Sequence, residues 1–272
     1  MSSENKRNTI TGRSAFLALL KDEGVTRLFG NPGTTELPIM HAMTEQTDIS
    51  YVLGLQESIV VAMADGYARA SGQIAAVNVH VAPGLGNAMG ALYTANFSGS
   101  PLIVTAGQQE QGHGLMEPLL YAPLVPIAAP MVKWAVEVNR IEDLPRIMRR
   151  AAKVALTPPT GPVFISLPGD ILNMEAAIDM GESTRVDAAT RPSDSALEHL
   201  ADRLAAAAPP AVRDGDFTRG YTPRGMGRGA AEVAPAAARC RWVLRAKQRA
   251  LEFIRISITV IITLRLRRLH YG

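Results

Sequence analysis

Apolar positions along the first 170 residues change period repeatedly, and each change marks an element. In "RSAFLALLKDEG" (13–24) they recur with helical spacing, and Gly24 supplies the stop. "VTRLFG" (25–30) is a short strand running into the turn-rich "GNPGTTE" (30–36), ahead of "LPIMHAM". "ISYVLGL" (49–55) predicts another strand, with Val52, Leu53 and Leu55 as its buried end. Ile59, Val60, Met63, Ala64 and Tyr67 then give the apolar stripe of a helix over "ESIVVAMADGYARASG" (57–72). "IAAVNVH" (74–80) is a strand, "APGLGNAMGALYTANFSG" (82–99) a loop and small-residue helix, and "PLIVTAG" (101–107) a further strand. After a longer irregular stretch, "EDLPRIMRRAAKVALT" (142–157) predicts a helix and "GPVFISLP" (161–168) a final strand.

Strands that are nearly all apolar, separated by helices, predict an α/β fold with a parallel sheet flanked by helices on both faces. Ligands in such sheets collect at the carboxyl ends of the strands. Gly30 to Thr35, Glu57, His80 to Gly86 and Gly107 to Gln109 all fall there. From Asn173 to Pro192 the chain turns polar and aperiodic. "SDSALEHLADRLAAAA" (193–208) then reads as an amphipathic helix capped by Ser193 or Asp194 and opening a second domain. The boundaries expected are a first domain over 8–178, a linker over 179–192, the start of a second domain over 193–212, and an irregular tail over 213–272.

Composition adds an asymmetry. The chain has 272 residues, 47% hydrophobic and 19% charged, the balance of a folded globular protein. Its net charge of +3 conceals a tail with 12 Arg and 1 Lys against 4 acidic residues, a net of +9, joined to a body of −6. The single cysteine, Cys240, excludes an internal disulfide and a multi-cysteine metal site. The opening "MSSENKRNTI" lacks the apolar core of a secretory signal, and no apolar run reaches the roughly 18 residues of a membrane span. A cytoplasmic protein without membrane association is expected.

The candidate chemistry is sparse. "GNPGTTE" matches neither nucleotide-binding glycine spacing, and "APGLGNAMG" lacks the acidic residue that should follow a dinucleotide fingerprint. His80 stands where a buried strand surfaces, a place for a hydrogen-bonded structural histidine or for a catalytic one. His41, His113, His199 and His270 show no metal-ligand spacing with it. Glu57 sits between an apolar strand and an apolar helix, with no basic residue until Arg69. It reads either as a helix N-terminal acid, worth under about 1 kcal/mol, or as a desolvated carboxyl with a raised pKa, suited to passing a proton.

"FGNPGTTELP", "LQESIVVAMADGYARASG", "NVHVAPGLGNAMGALYTA" and "SPLIVTAGQQ", in this order, resemble the N-terminal pyrimidine-binding domain of thiamine-diphosphate-dependent enzymes. The likeness continues through "KWAVEV" and "ALTPPTGPVFISLPGDIL", over roughly residues 8 to 210. It is strongest to benzoylformate decarboxylase-like proteins, with acetolactate synthase-like proteins next.

The resemblance implies that Glu57 hydrogen-bonds the aminopyrimidine ring of thiamine diphosphate. Pro32, Gly33, Gly84 and Asn87 would line the cofactor. His80 would exchange a proton near the substrate, and Thr34 would stand where the family carries a serine facing the substrate carboxylate. The implied reaction is non-oxidative decarboxylation of a small-molecule 2-keto acid to an aldehyde. The alternatives are carboligation of acetolactate synthase type, or a non-catalytic fragment whose basic tail contacts nucleic acid. A nucleic-acid partner is not expected, since no recognised motif accompanies the arginines. Family members are homodimers or tetramers that hold Mg2+ and diphosphate on a Gly-Asp-Gly motif followed by asparagines. Here "RDGD" is the nearest string, and no asparagine follows Asn173. The resemblance therefore implies a truncated middle domain, no metal ligands in this chain, an out-of-frame tail after Val212, and little or no activity by the chain alone.

Overall fold

The computed structural model describes residues 9–186 and 192–206. β1 (Ile10–Thr11) leads directly into α1 (Gly12–Asp22). The Thr11 hydroxyl caps this helix by accepting from the Ser14 amide at 3.3 Å, and Gly24, at φ +85°, turns the chain out of it. β2 (Arg27–Gly30) is followed by a 3-10 turn at Thr34–Glu36 and α2 (Leu37–Met43), and then by β3 (Ser50–Leu53). α3 (Glu57–Ser71) ends on Gly72 in the left-handed conformation, as its sequence predicts. β4 (Ala75–Val79), α4 (Val81–Phe97) and β5 (Leu102–Gln108) complete the centre. α5 (Leu124–Ala128), β6 (Ala135–Glu137), α6 (Leu144–Leu156), β7 (Val163–Pro168), α7 (Gly169–Asn173), β8 (Glu175–Ala176) and α8 (Asp194–Ala206) follow. Of the two candidate caps for α8, Ser193 is the one used: its hydroxyl accepts from the Ala196 amide at 3.3 Å.

Six strands form one parallel sheet in the order β3-β2-β4-β5-β7-β6, and β1 pairs with β8 in a separate antiparallel ribbon. Alternation along the central strands divides the core between the two faces. Ile103, Val163, Ile165 and Leu167 pack with Phe16, Leu20, Ile39, Met148 and Ile171 from α1, α2, α6 and α7. Ala75, Val77, Val104 and Phe164 pack with Val60, Ala64, Ala88, Leu92 and Leu124 from α3, α4 and α5. Both faces are covered, as near-continuous apolar strands require.

Three expectations change. The strand over 49–55 is shorter, and its end is not buried: Leu53 is 59% and Leu55 85% exposed. β3 is an edge strand paired only with β2, so burial falls away along it. In the same way Ile59, counted in the apolar stripe of α3, is 53% exposed, while Val60 and Ala64 are fully buried. The segment 82–99 contains no leading loop, because α4 begins at Val81, with Pro83 in its first turn. β1, β6 and β8, each of two or three residues, are too short to show a period. The tail over 213–272, and its apolar stretch, lie outside the described residues.

Candidate functional site

Leaving β2, the chain builds β3 on one side and then crosses to build β4 on the other, so the strand order reverses between β2 and β4. Such a reversal opens a crevice at the carboxyl ends of the strands. The β2 end delivers Asn31 to Glu36, the β3 end leads to Glu57, the β4 end delivers His80, and the β5 end delivers Gly107.

Glu57 is not the cap of its helix. Gln56 takes that role, its Oε1 accepting from the amides of Ser58 at 2.8 Å and Ile59 at 3.2 Å. The Glu57 carboxylate, 7% exposed, is thereby free to turn inward. Asn31 Nδ2 donates to its Oε1 at 2.9 Å and Asn87 Nδ2 to its Oε2 at 3.0 Å. Burial pushes the Glu57 pKa up, but the Asn87 amide, the residue's own N–H, the Asn31 amide and the nearby His80 together pull it below the ordinary value. This corrects the raised pKa expected from desolvation: the sequence shows the burial and not the donors. Gly84 brings α4 close, since a Cβ on it would stand 3.4 Å from Glu57 Oε1.

A second carboxylate shares the crevice. Glu36 is fully buried. Its Oε1 accepts from the Thr35 hydroxyl at 2.7 Å and the Gly107 amide at 3.0 Å. Its Oε2 accepts from the Gly33 amide at 2.9 Å and faces His80 Nδ1 at 2.7 Å. Gly33 seats the histidine ring directly, for a Cβ there would meet Nδ1 at 2.3 Å. Val81, next to His80, has φ +41°, a strained conformation for a β-branched residue.

Of the residues expected from sequence, Glu57, Gly33, His80, Gly84 and Asn87 meet in this crevice. Pro32 is half-buried in its rim, and Thr34 is exposed at the start of the 3-10 turn. The hydroxyl in contact with His80 is that of Thr35, 3.1 Å from Nδ1. Sequence reasoning missed Glu36, and it placed Asn31, Thr35 and Gly107 at the strand ends without giving them a role. An acid three residues after Gly33 resembles a simple turn cap, so only the tertiary structure reveals its burial. Among the described residues, no group of three or more His, Cys, Asp and Glu could hold a metal ion, and no helix is long and apolar enough to cross a membrane.

Residues 10–118 match the family model described as thiamine pyrophosphate enzyme, N-terminal TPP binding domain. The chain thus carries the N-terminal domain of thiamine-diphosphate-dependent enzymes, and the parallel six-stranded sheet is that domain's fold. Its likeness extends to 2-keto acid decarboxylases. Benzoylformate decarboxylase of Pseudomonas aeruginosa PAO1 is 38% identical over 245 residues, covering 86% of this chain and 46% of that protein. The acetolactate synthase isozyme 3 large subunit of Escherichia coli K12 is 35% identical over 164 residues, covering 60% of this chain and 29% of that one. A solved thiamine diphosphate-dependent 4-hydroxybenzoylformate decarboxylase from Rhodococcus jostii RHA1 superposes with a TM-score of 0.65 at 38% identity, over 72% of this chain and 38% of its own. The chain spans about half the length of the first of these relatives and less of the others.

Proposed function

We propose that this chain supplies the aminopyrimidine-binding half of a thiamine-diphosphate-dependent, benzoylformate decarboxylase-like enzyme acting on a 2-keto acid. The observation that carries the reading is Glu57: an inward-facing carboxylate at the switch point, held between two amides that a heteroaromatic ring can replace. The donor and acceptor chemistry of Glu57, Asn31 and Asn87 fits an aminopyrimidine, whose ring nitrogen and exocyclic amine need one partner of each kind. Thiamine diphosphate, when bound, supplies the carbon that adds to a keto carbonyl and holds the electron pair left by departing carbon dioxide. In this reading Glu57 holds a proton against the ring nitrogen. His80 gives or takes one beside the substrate, and Thr34 lies near the substrate carboxylate.

The sequence offers only "RDGD" toward the family's Gly-Asp-Gly motif and no asparagine after Asn173, so in this reading the chain alone lacks decarboxylase activity. The parent assembly is a homodimer or tetramer in this reading. The exposed pair Tyr93 and Phe97, stacked at 6.5 Å on α4, is apolar surface that a second copy would cover.

The test is a titration of the 15N-labelled chain with thiamine and, separately, with thiamine diphosphate plus magnesium. Amide shifts are expected around Glu57, Gly84 and Asn87, of similar size for both ligands and absent in Glu57→Ala. Shifts elsewhere, or none, overturn the pyrimidine site. Tight, magnesium-dependent binding by this chain overturns the view that it holds only half of the cofactor site.

A further inference from the structure

The crevice has a feature that the pyrimidine site does not use. His80 Nδ1 points away from the opening, into a nest built on Glu36. Its two polar neighbours there are Glu36 Oε2 at 2.7 Å and Thr35 Oγ1 at 3.1 Å. The Thr35 hydroxyl spends its proton on Glu36 Oε1, so the oxygen facing His80 is an acceptor. The carboxylate oxygen is an acceptor as well. Two acceptors around one ring nitrogen require that the nitrogen carry the hydrogen.

Glu36 cannot turn aside to relax this. The Gly33 and Gly107 amides, fixed in the backbone, hold one oxygen each. A Cβ on Gly107 would fall 2.1 Å from Glu36 Oε1, so the strand presses against the carboxylate. Gly33 packs against the ring itself, since a Cβ there would meet its Nδ1 at 2.3 Å and its Cε1 and Cγ at 2.4 Å. Nε2 has no hydrogen-bond partner among the described residues, and the side chain is 22% exposed.

We infer that Glu36 is a positioning residue: it locks His80 in the Nδ1–H tautomer and leaves Nε2 as the one nitrogen that can exchange a proton with a ligand. The arrangement has the logic of a carboxylate orienting a catalytic imidazole, in which the acid fixes tautomer and ring angle without reacting itself. The inference rests on the proposed role of His80 beside a 2-keto acid. The geometry of the Glu36–His80 pair stands apart from any cofactor.

Long-range 1H–15N correlation of the histidine-labelled chain, free of ligand and at a pH where imidazole is neutral, reads the tautomer directly. His80 is expected to carry its hydrogen on Nδ1 with Nε2 bare. Glu36→Gln can keep an acceptor on only one side of the nest, so more than half of the Nδ1–H population is expected to be lost. Thr35→Val should leave it in place. A wild-type His80 hydrogenated at Nε2, or a tautomer that ignores Glu36→Gln, overturns the inference. Should the Gln variant not fold, proton exchange decides. An Nδ1–H exchanging about tenfold more slowly than ring protons of exposed His113 supports the lock, and an equal rate overturns it. Thiamine binding at Glu57 is a separate measurement, so a failed tautomer test with intact binding removes this inference alone.

Discussion

The Asn87 amide meets the Glu57 carboxylate at 3.0 Å and ties α4 to α3 across the crevice. Burial favours the neutral acid, yet this bond and the other donors hold the pKa of Glu57 below the ordinary value. Asn87→Leu removes the leading counterweight, and the pKa of Glu57 is expected to rise. A carboxyl lowered in the folded state contributes stability above its unfolded value, about 4.3. It loses that contribution as pH falls through the folded value. In Asn87→Leu that contribution is therefore smaller, so stability falls less across the acid range and the fall is complete at a higher pH than in the wild type. A 13C titration of the Glu57 carboxyl, paired with urea midpoints across the acid range, checks both; an unchanged titration refutes the assignment.

Gly107 is expected to tolerate no side chain. Gly107→Ala places a methyl on Glu36 Oε1 and 2.3 Å from Thr35 Oγ1. Overpacking of this kind costs about 1–3 kcal/mol, read as a lower urea midpoint. A wild-type midpoint would show that the nest is loose enough to admit a methyl group.

Far from the crevice, Arg149 donates to the buried Glu23 at 2.7 Å, to Asp22 at 3.0 Å, and to the carbonyls of Met180 and Gly181. Arg185 also pairs with Glu23. Arg149→Met leaves a buried carboxylate short of its main partner, and a loss of about 3 kcal/mol is expected in chemical denaturation. A loss below about 1 kcal/mol would mean that Arg185 carries the charge by itself.

The Tyr51 hydroxyl is buried above Gly30 without a hydrogen-bond partner among the described residues. Burial, with the charge of Glu36 adding to it, pushes the phenol pKa up, so the group stays a neutral donor with nothing to donate to. Tyr51→Phe removes that liability and is expected to raise stability by about 1 kcal/mol. Destabilisation of that size would reveal a partner for the hydroxyl.

Continuous apolar runs and period-3.6 segments with end signals were readable in the sequence: α1, α3, α6, β4, β5 and β7 lie where those patterns put them. The edge character of β3 was not readable, because an apolar stretch such as "SYVL" looks the same at the centre of a sheet and at its rim. At the site, Glu57 was legible as an anomaly and Asn87 and His80 through resemblance. Glu36 was hidden because its partners, Gly107 and His80, are 71 and 44 residues away, and a turn acid announces nothing about them. The sign of the Glu57 pKa was hidden for the same reason.

The out-of-frame tail expected after Val212 from the resemblance is open to test in the same way. The described core side chains run from Ala15 to Leu172. A chain ending at Val212 is therefore expected to unfold at the wild-type urea midpoint, and a lower midpoint would give residues 213–272 a structural part. The match to benzoylformate decarboxylase covers 86% of the chain, a longer span than residues 1–212. Sequencing the gene decides where any frame changes: a one-base correction should restore an open frame with a Gly-Asp-Gly motif, and its absence in every frame ends the idea.

The spacing of Glu36 and its partners also orders events during synthesis. As the chain leaves the ribosome, the acid emerges first, His80 well after it, and the Gly107 amide last of all. No shorter N-terminal piece holds the donors needed to bury that charge. The nest can close only once β5 has joined the centre of the sheet, so the machinery around His80 is a late product of folding rather than a template for it.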